Sequence, residues 1–144
     1  MLCRAFIFDR RQVVHRCAVL GVLLMCGCDS GDRQSISGTV TLDGRPLEKG
    51  TIRFLPQSDT QGPTAGAEIA GGKYEIPTAG GTFAGKFRVE ITVTRPNGKK
   101  MDVAGQLYDI YEQFIPPKYN TASQLEAEIK AGAANHFEFA VNSK

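Results

Sequence analysis

Residues 86–94, Lys-Phe-Arg-Val-Glu-Ile-Thr-Val-Thr, decide the fold. Phe87, Val89, Ile91 and Val93 fall on one side of an extended chain and Arg88, Glu90 and Thr92 on the other, the two-residue period of a half-buried strand. A strand with one wet face belongs to an antiparallel sheet, because the strands of a βαβ fold are covered on both faces and read as continuous apolar runs. Moving outward, the same alternation runs through Ser35–Leu42, with Ile36, Gly38, Val40 and Leu42 on one side, and through Thr51–Leu55, with Ile52 and Phe54 inward. Asp43-Gly44 supplies a turn between these two segments and Pro46 stiffens the return. After a polar loop at 56–63, Ala65–Ala70 and Lys73–Ile76 flank Gly71-Gly72, the pattern of a tight hairpin. Towards the C-terminus, residues 124–130 contain good helix formers, yet Leu125, Ala127 and Ile129 alternate with Glu126, Glu128 and Lys130, and the alternation selects a strand. Asn135–Val141 closes the set with Phe137, Phe139 and Val141 inward and His136 and Glu138 outward. Between the strands, residues 95–105 read as a charged loop. Leu107, Ile110, Tyr111 and Phe114 follow at i, i+3, i+4 and i+7 and predict a short helix halted by Pro116-Pro117. The expectation is an all-β domain over 35–144: a seven-stranded antiparallel Greek-key β-sandwich with one short helix.

The start of the chain has a different composition. Residues 1–16 carry four Arg and one Asp, and residues 17–25 (CAVLGVLLM) are an unbroken apolar run that ends at Cys26-Gly27-Cys28. A spanning helix needs about 20 apolar residues, so this run is the short core of a secretory signal and not a permanent membrane span. Arg10-Arg11 has the appearance of a twin-arginine signal but is poorly flanked by Asp9 and His15, and general secretory export is the default expectation. All four cysteines (Cys3, Cys17, Cys26, Cys28) lie in or at the end of this leader, so the exported part has one thiol and no disulfide framework. The whole chain has a formal net charge of +2. Residues 28–144 hold thirteen basic and fourteen acidic side chains, a net of −1, which leaves no concentrated positive field for nucleic acid.

Leu24-Met25-Cys26-Gly27-Cys28 resembles the lipobox of bacterial lipoproteins, with Met25 in the usual Leu position and Cys26 and Gly27 in the small positions. The resemblance implies cleavage after residue 27 and a diacylglyceryl thioether on Cys28. Two acyl chains are enough for durable membrane anchoring where one is marginal. The implied organisation is a signal peptide at 1–27, a polar lipidated tether at 28–34 and a domain at 35–144. The protein would then be exported and lipid-anchored to a periplasm-facing membrane of the bacterial cell envelope, with the membrane as a partner through Cys28. Asp29 directly after the anchor suggests retention at the inner membrane.

Ile36-Ser37-Gly38-Thr39-Val40-Thr41-Leu42-Asp43-Gly44-Arg45-Pro46-Leu47 resembles the opening of carboxypeptidase regulatory-like domains, as do Gly72-Lys73-Tyr74 and Gly85-Lys86-Phe87-Arg88-Val89. Ile115-Pro116-Pro117-Lys118-Tyr119-Asn120, with Ser123 and Leu125, is similar to a C-terminal segment of small bacterial lipoproteins built on this domain. The resemblance implies a transthyretin-like (prealbumin-like) sandwich, related in architecture to Ig-like domains. Such domains are usually accessory binding modules, and fold alone assigns no chemistry.

Catalytic constellations are sparse. The one His after the leader is His136, on an outward strand position, and there is no CxxC, HExxH or calcium-loop spacing. Asp109 and Glu112, one helical turn apart on the expected helix, read as its solvated side. Hydrolases and intradiol dioxygenases of related fold need more than one His. These residues predict no catalytic group, no metal and no cofactor. Lys118, Tyr119 and Asn120 are the candidate ligand contacts, for a glycan or peptide. The expected role is non-catalytic binding or scaffolding, with an envelope protein or glycan as partner. The alternatives are a carbohydrate- or peptide-binding envelope component or a small transthyretin-fold hydrolase.

Overall fold

The computed structural model describes residues 32–144. The leader, Cys28 and the first part of the tether lie outside the described residues. Ten strands are present in those residues: β1 (Ile36–Leu42), β2 (Arg45–Pro46), β3 (Lys49–Pro56), β4 (Ala65–Ala70), β5 (Lys73–Ile76), β6 (Gly85–Thr92), β7 (Thr94–Val103), β8 (Gln106–Gln113), β9 (Leu125–Ile129) and β10 (Asn135–Val141). Seven of them run in the order β10-β1-β5-β4-β3-β6-β9, with the two-residue β2 attached to β1. These seven are the strands expected from the alternation.

The sheet curls at the β4–β5 hairpin. Gly71 and Gly72 take φ of +57° and +78°, the positive values a two-residue turn between twisted strands requires, and only Ala70 and Lys73 pair across it. The strands then diverge, so β10-β1-β5 and β4-β3-β6-β9 lie face to face. Phe54 of β3 meets Tyr74 of β5 at 6.1 Å between ring centroids, and Phe137 and Phe139 of β10 at 6.2 and 6.5 Å. The inward side of β6 is closed off from solvent at Phe87, Val89 and Ile91, and Ile36, Val40, Ile52, Ile69, Ile76, Ile129 and Val141 fill the same core. Each such side chain contributes about 1.5–3 kcal/mol by leaving water. The architecture is therefore an all-β, mainly antiparallel sandwich.

Two expectations are corrected. β1 and β10 pair in parallel, from Ile36↔Asn135 to Leu42↔Val141, whereas every other ladder is antiparallel. A parallel pair needs a long crossover, and here nearly the whole domain supplies it. The second correction concerns residues 95–114. The charged loop is strand β7 and the expected helix is strand β8, joined in a hairpin separate from the main sheet. Ala104 and Gly105 have φ of +54° and +84°, and the Gly105 N–H donates to the Asp102 carboxylate at 2.8 Å. That locally stabilised turn returns the chain antiparallel on itself, and Tyr108, Ile110 and Tyr111 are residues that suit a strand. Among the described residues there is no α-helix; Pro117 instead opens a single 3-10 turn, Pro117–Tyr119, and a second such turn spans Thr78–Gly80.

Candidate functional site

The segment singled out for ligand contact is mostly internal. Tyr119 and Asn120 are buried. The Asn120 amide donates to the carbonyl of Pro116 at 3.1 Å, and its oxygen accepts from the Thr121 backbone N–H at 2.7 Å, so both ends of the side chain hold the turn that follows Pro116-Pro117. The Lys118 ammonium sits 5.0 Å from the Tyr119 ring, on its outer side. Ser123, also buried, donates to the carbonyl of Val89 and accepts from the N–H of Leu125 at 3.2 Å, fastening this turn to β6 and β9. Lys118 alone of the three candidates faces solvent; Tyr119 and Asn120 join β8 to β9.

His136 lies in a row that sequence spacing could not show. Ser37 of β1 is directly opposite both Glu75 of β5 and His136 of β10, so Glu75, Ser37 and His136 stand side by side on the outer face. The Ser37 hydroxyl and His136 Nδ1 are 3.3 Å apart. A nucleophile needs its base oriented by a third group, and the carboxylate here stands on the far side of the serine, next to the nucleophile instead of the base. The row floors a shallow groove with Thr39, Glu68 and Lys73 along its sides. Below it, Tyr74 crosses Gly38 and donates its hydroxyl to the Phe137 carbonyl at 3.2 Å; burial pushes this phenol well above its usual pKa. Asp109 and Glu112, read as neighbours on a helix, point to opposite faces of β8 because they are three residues apart on a strand. Among the described residues no group of three or more His, Cys, Asp or Glu converges as a metal site would require.

The feature that sequence reading missed is the β7–β8 hairpin itself. The large apolar side chains left exposed among the described residues are Met101, Val103, Leu107, Tyr108, Tyr111 and Phe114, all on or beside this one element. Cross-strand partners share a face. Met101 with Tyr108, Val103 with Gln106 and Arg95 with Glu112 therefore lie on one side, where Ile110 joins them; Lys100 with Asp109, Asp102 with Leu107 and Pro96 with Tyr111 lie on the other. The first face is apolar along its middle, and at its base the Arg95 guanidinium stacks 3.7 Å from the Phe114 ring centroid. The second is charged, with Lys100 Nζ 3.9 Å from Asp109. Tyr108 and Tyr111 are on opposite faces and do not form a shared aromatic platform for a sugar. The available signal was the Asp102-to-Gly105 turn, which the spacing of Leu107, Ile110, Tyr111 and Phe114 obscured.

The hairpin leaves the sandwich at the end remote from the chain entry. Gln34 is tied to one end by its N–H to the Thr82 carbonyl at 2.7 Å and by its side chain, which accepts from Gly132 N–H at 3.0 Å. Thr94 and Arg95 share a groove with Leu42 and Asp43 at the other end of β1, about 20 Å away at roughly 3.3 Å per strand residue. Comparison with protein-family models, with curated proteins and with solved structures gives no match for this chain.

Proposed function

We propose that this chain is a lipid-anchored module of the bacterial cell envelope, held at the membrane through an acylated Cys28, that binds or scaffolds and does not catalyse. Its domain is read as a transthyretin-like, carboxypeptidase regulatory-like Greek-key sandwich, and the seven alternating strands support that reading. The observation that carries the binding role is the concentration of exposed apolar side chains on the β7–β8 hairpin. A soluble domain rarely leaves a contiguous apolar patch without a partner for it. The anchoring role rests on the basic leader, the apolar run at 17–25 and the small-small-Cys ending at 28.

The test of the anchor is direct. Cys28→Ala in the full chain, expressed in a bacterial host fed a labelled fatty acid, is expected to abolish labelling and to move the protein from the detergent phase to the aqueous phase. Labelling that persists in Cys28→Ala would overturn the reading.

A further inference from the structure

We infer that the apolar face of the β7–β8 hairpin is a homodimer interface, occupied by the same face of a second copy related by a two-fold axis running along the hairpin. The inference rests on the anchored-module reading for the orientation of the pair, and on the following observations for the pairing itself.

The face is arranged for its own copy. The charges at its base are segregated by strand: Arg95 on β7 and Glu112 on β8 stand opposite one another in the ladder, with Met101, Val103, Tyr108 and Ile110 further towards the tip. Two such faces can be laid on one another by a two-fold in two simple ways. An axis across the hairpin lays β7 over β7 end to end, and sets the charged base of each copy against the apolar tip of the other. An axis along the hairpin lays β7 over β8 of the partner, base to base, so that each Arg95 meets a Glu112 and each Met101 meets a Tyr108. Only the second is complementary in charge and in apolar contact, and a two-fold interface repeats each such contact twice.

The same axis agrees with the tether. Hairpins joined face to face about a lengthwise axis keep their bases, and therefore both sandwiches, at the same end of the pair. The chain enters each sandwich at the end remote from the hairpin, tied there through Gln34. Both chain entries at Gln34 then lie on the same side of the pair, which is compatible with two chains anchored in one membrane. The bilayer itself is a poor occupant of the face, because the face carries the charges of Arg95 and Glu112, which an apolar phase penalises. One hairpin face is also small beside the ~1,200–2,000 Å² total of a standard stable interface. Confinement of both copies to one membrane raises their effective concentration and offsets that deficit.

The experiment uses two differently tagged full-length copies co-expressed in intact cells, joined by a short lysine cross-linker and isolated through one tag. Wild type is expected to yield cross-linked dimer carrying both tags. Arg95→Glu alone sets a second carboxylate against Glu112 of the other copy, and Glu112→Arg alone sets a second guanidinium against Arg95. Each is expected to reduce dimer by roughly tenfold or more, since like charges opposed in an interface are strongly unfavourable. Co-expression of the Arg95→Glu copy with the Glu112→Arg copy restores opposite charges between chains while both chains keep their internal like-charge pair. Recovery of dimer in this mixture, and not in either variant alone, is the expected result. Met101→Asp, at an exposed position, is expected to abolish dimer with the melting temperature unchanged. Wild type that yields only monomer, or a mixture that fails to recover, overturns the inference. The chain contains no Trp, so Tyr108→Trp reports on the face: quenching of its emission by brominated lipid in vesicles assigns the hairpin to the bilayer and likewise overturns it. Failure of the anchor is read separately, as absent fatty-acid labelling of wild type, and leaves the cross-linking result standing.

Discussion

Gly38 is held by its surroundings on both sides. A β-carbon there would fall on the carbonyl oxygen of Phe137 in β10 and 2.6 Å from the hydroxyl of Tyr74, with the Phe137 carbonyl carbon at 2.9 Å. Backbone cannot yield as a flexible side-chain tip can, so Gly38→Ala is expected to destabilise the domain by about 3 kcal/mol, at the upper end of ordinary overpacking, through loss of the β1–β10 ladder. Tyr74→Phe removes only the hydroxyl and its bond to Phe137, and is expected to cost about 1 kcal/mol. Urea titration followed by circular dichroism separates the two; equal midpoints for Gly38→Ala and wild type would sink this account. The contrast shows what a single residue type reveals. A glycine at an inward position of β1 was legible as a place of close approach, but which backbone approaches depends on β10 lying beside β1, and nothing in the local sequence states that.

The hairpin of β7 and β8 is an element attached to the fold without being part of its core. None of its side chains is buried, and it pairs with no strand of the main sheet. Replacing residues 95–112 with Asn-Gly between Thr94 and Gln113, which already face one another across the ladder, is therefore expected to leave the melting temperature within a few degrees of wild type. A large loss of stability on differential scanning calorimetry would show that the hairpin supports the sandwich. The spacing of Leu107, Ile110, Tyr111 and Phe114 suits a helix because four apolar residues in eight can satisfy more than one period. What decides between them is the Ala104-Gly105 turn and the pairing it permits. The seven core strands were readable because each buries one face, which makes its alternation strict; the hairpin buries neither face, so the constraint that writes pattern into sequence was weak there. For Tyr119 and Asn120 the reverse holds: polar and aromatic residues beside two prolines look available, and only the turn they close shows that the Tyr119 ring is buried and the Asn120 amide already hydrogen-bonded.

At the scale of the molecule, closure depends on the two ends of the domain. Ser37 and His136, neighbours in the β1–β10 ladder, are 99 positions apart in the chain. Alternation gave both strands but not their adjacency or parallel sense, since strand pairing at that separation leaves no local trace. A chain ending at residue 134 lacks β10 and uncovers Ile36, Val40 and Phe54. It is expected to show no cooperative thermal transition, and a sharp one would refute the view that β10 completes the core. The same dependence governs when the protein can fold during its synthesis. A growing chain can pair β1 with β2 and β5 early, but the other edge of β1 stays open until β10 has been made, and contacts this distant in sequence form slowly. Until β10 is made the core therefore stays incomplete, and under the proposed export an incomplete core is the form that a translocation channel for unfolded chains can thread.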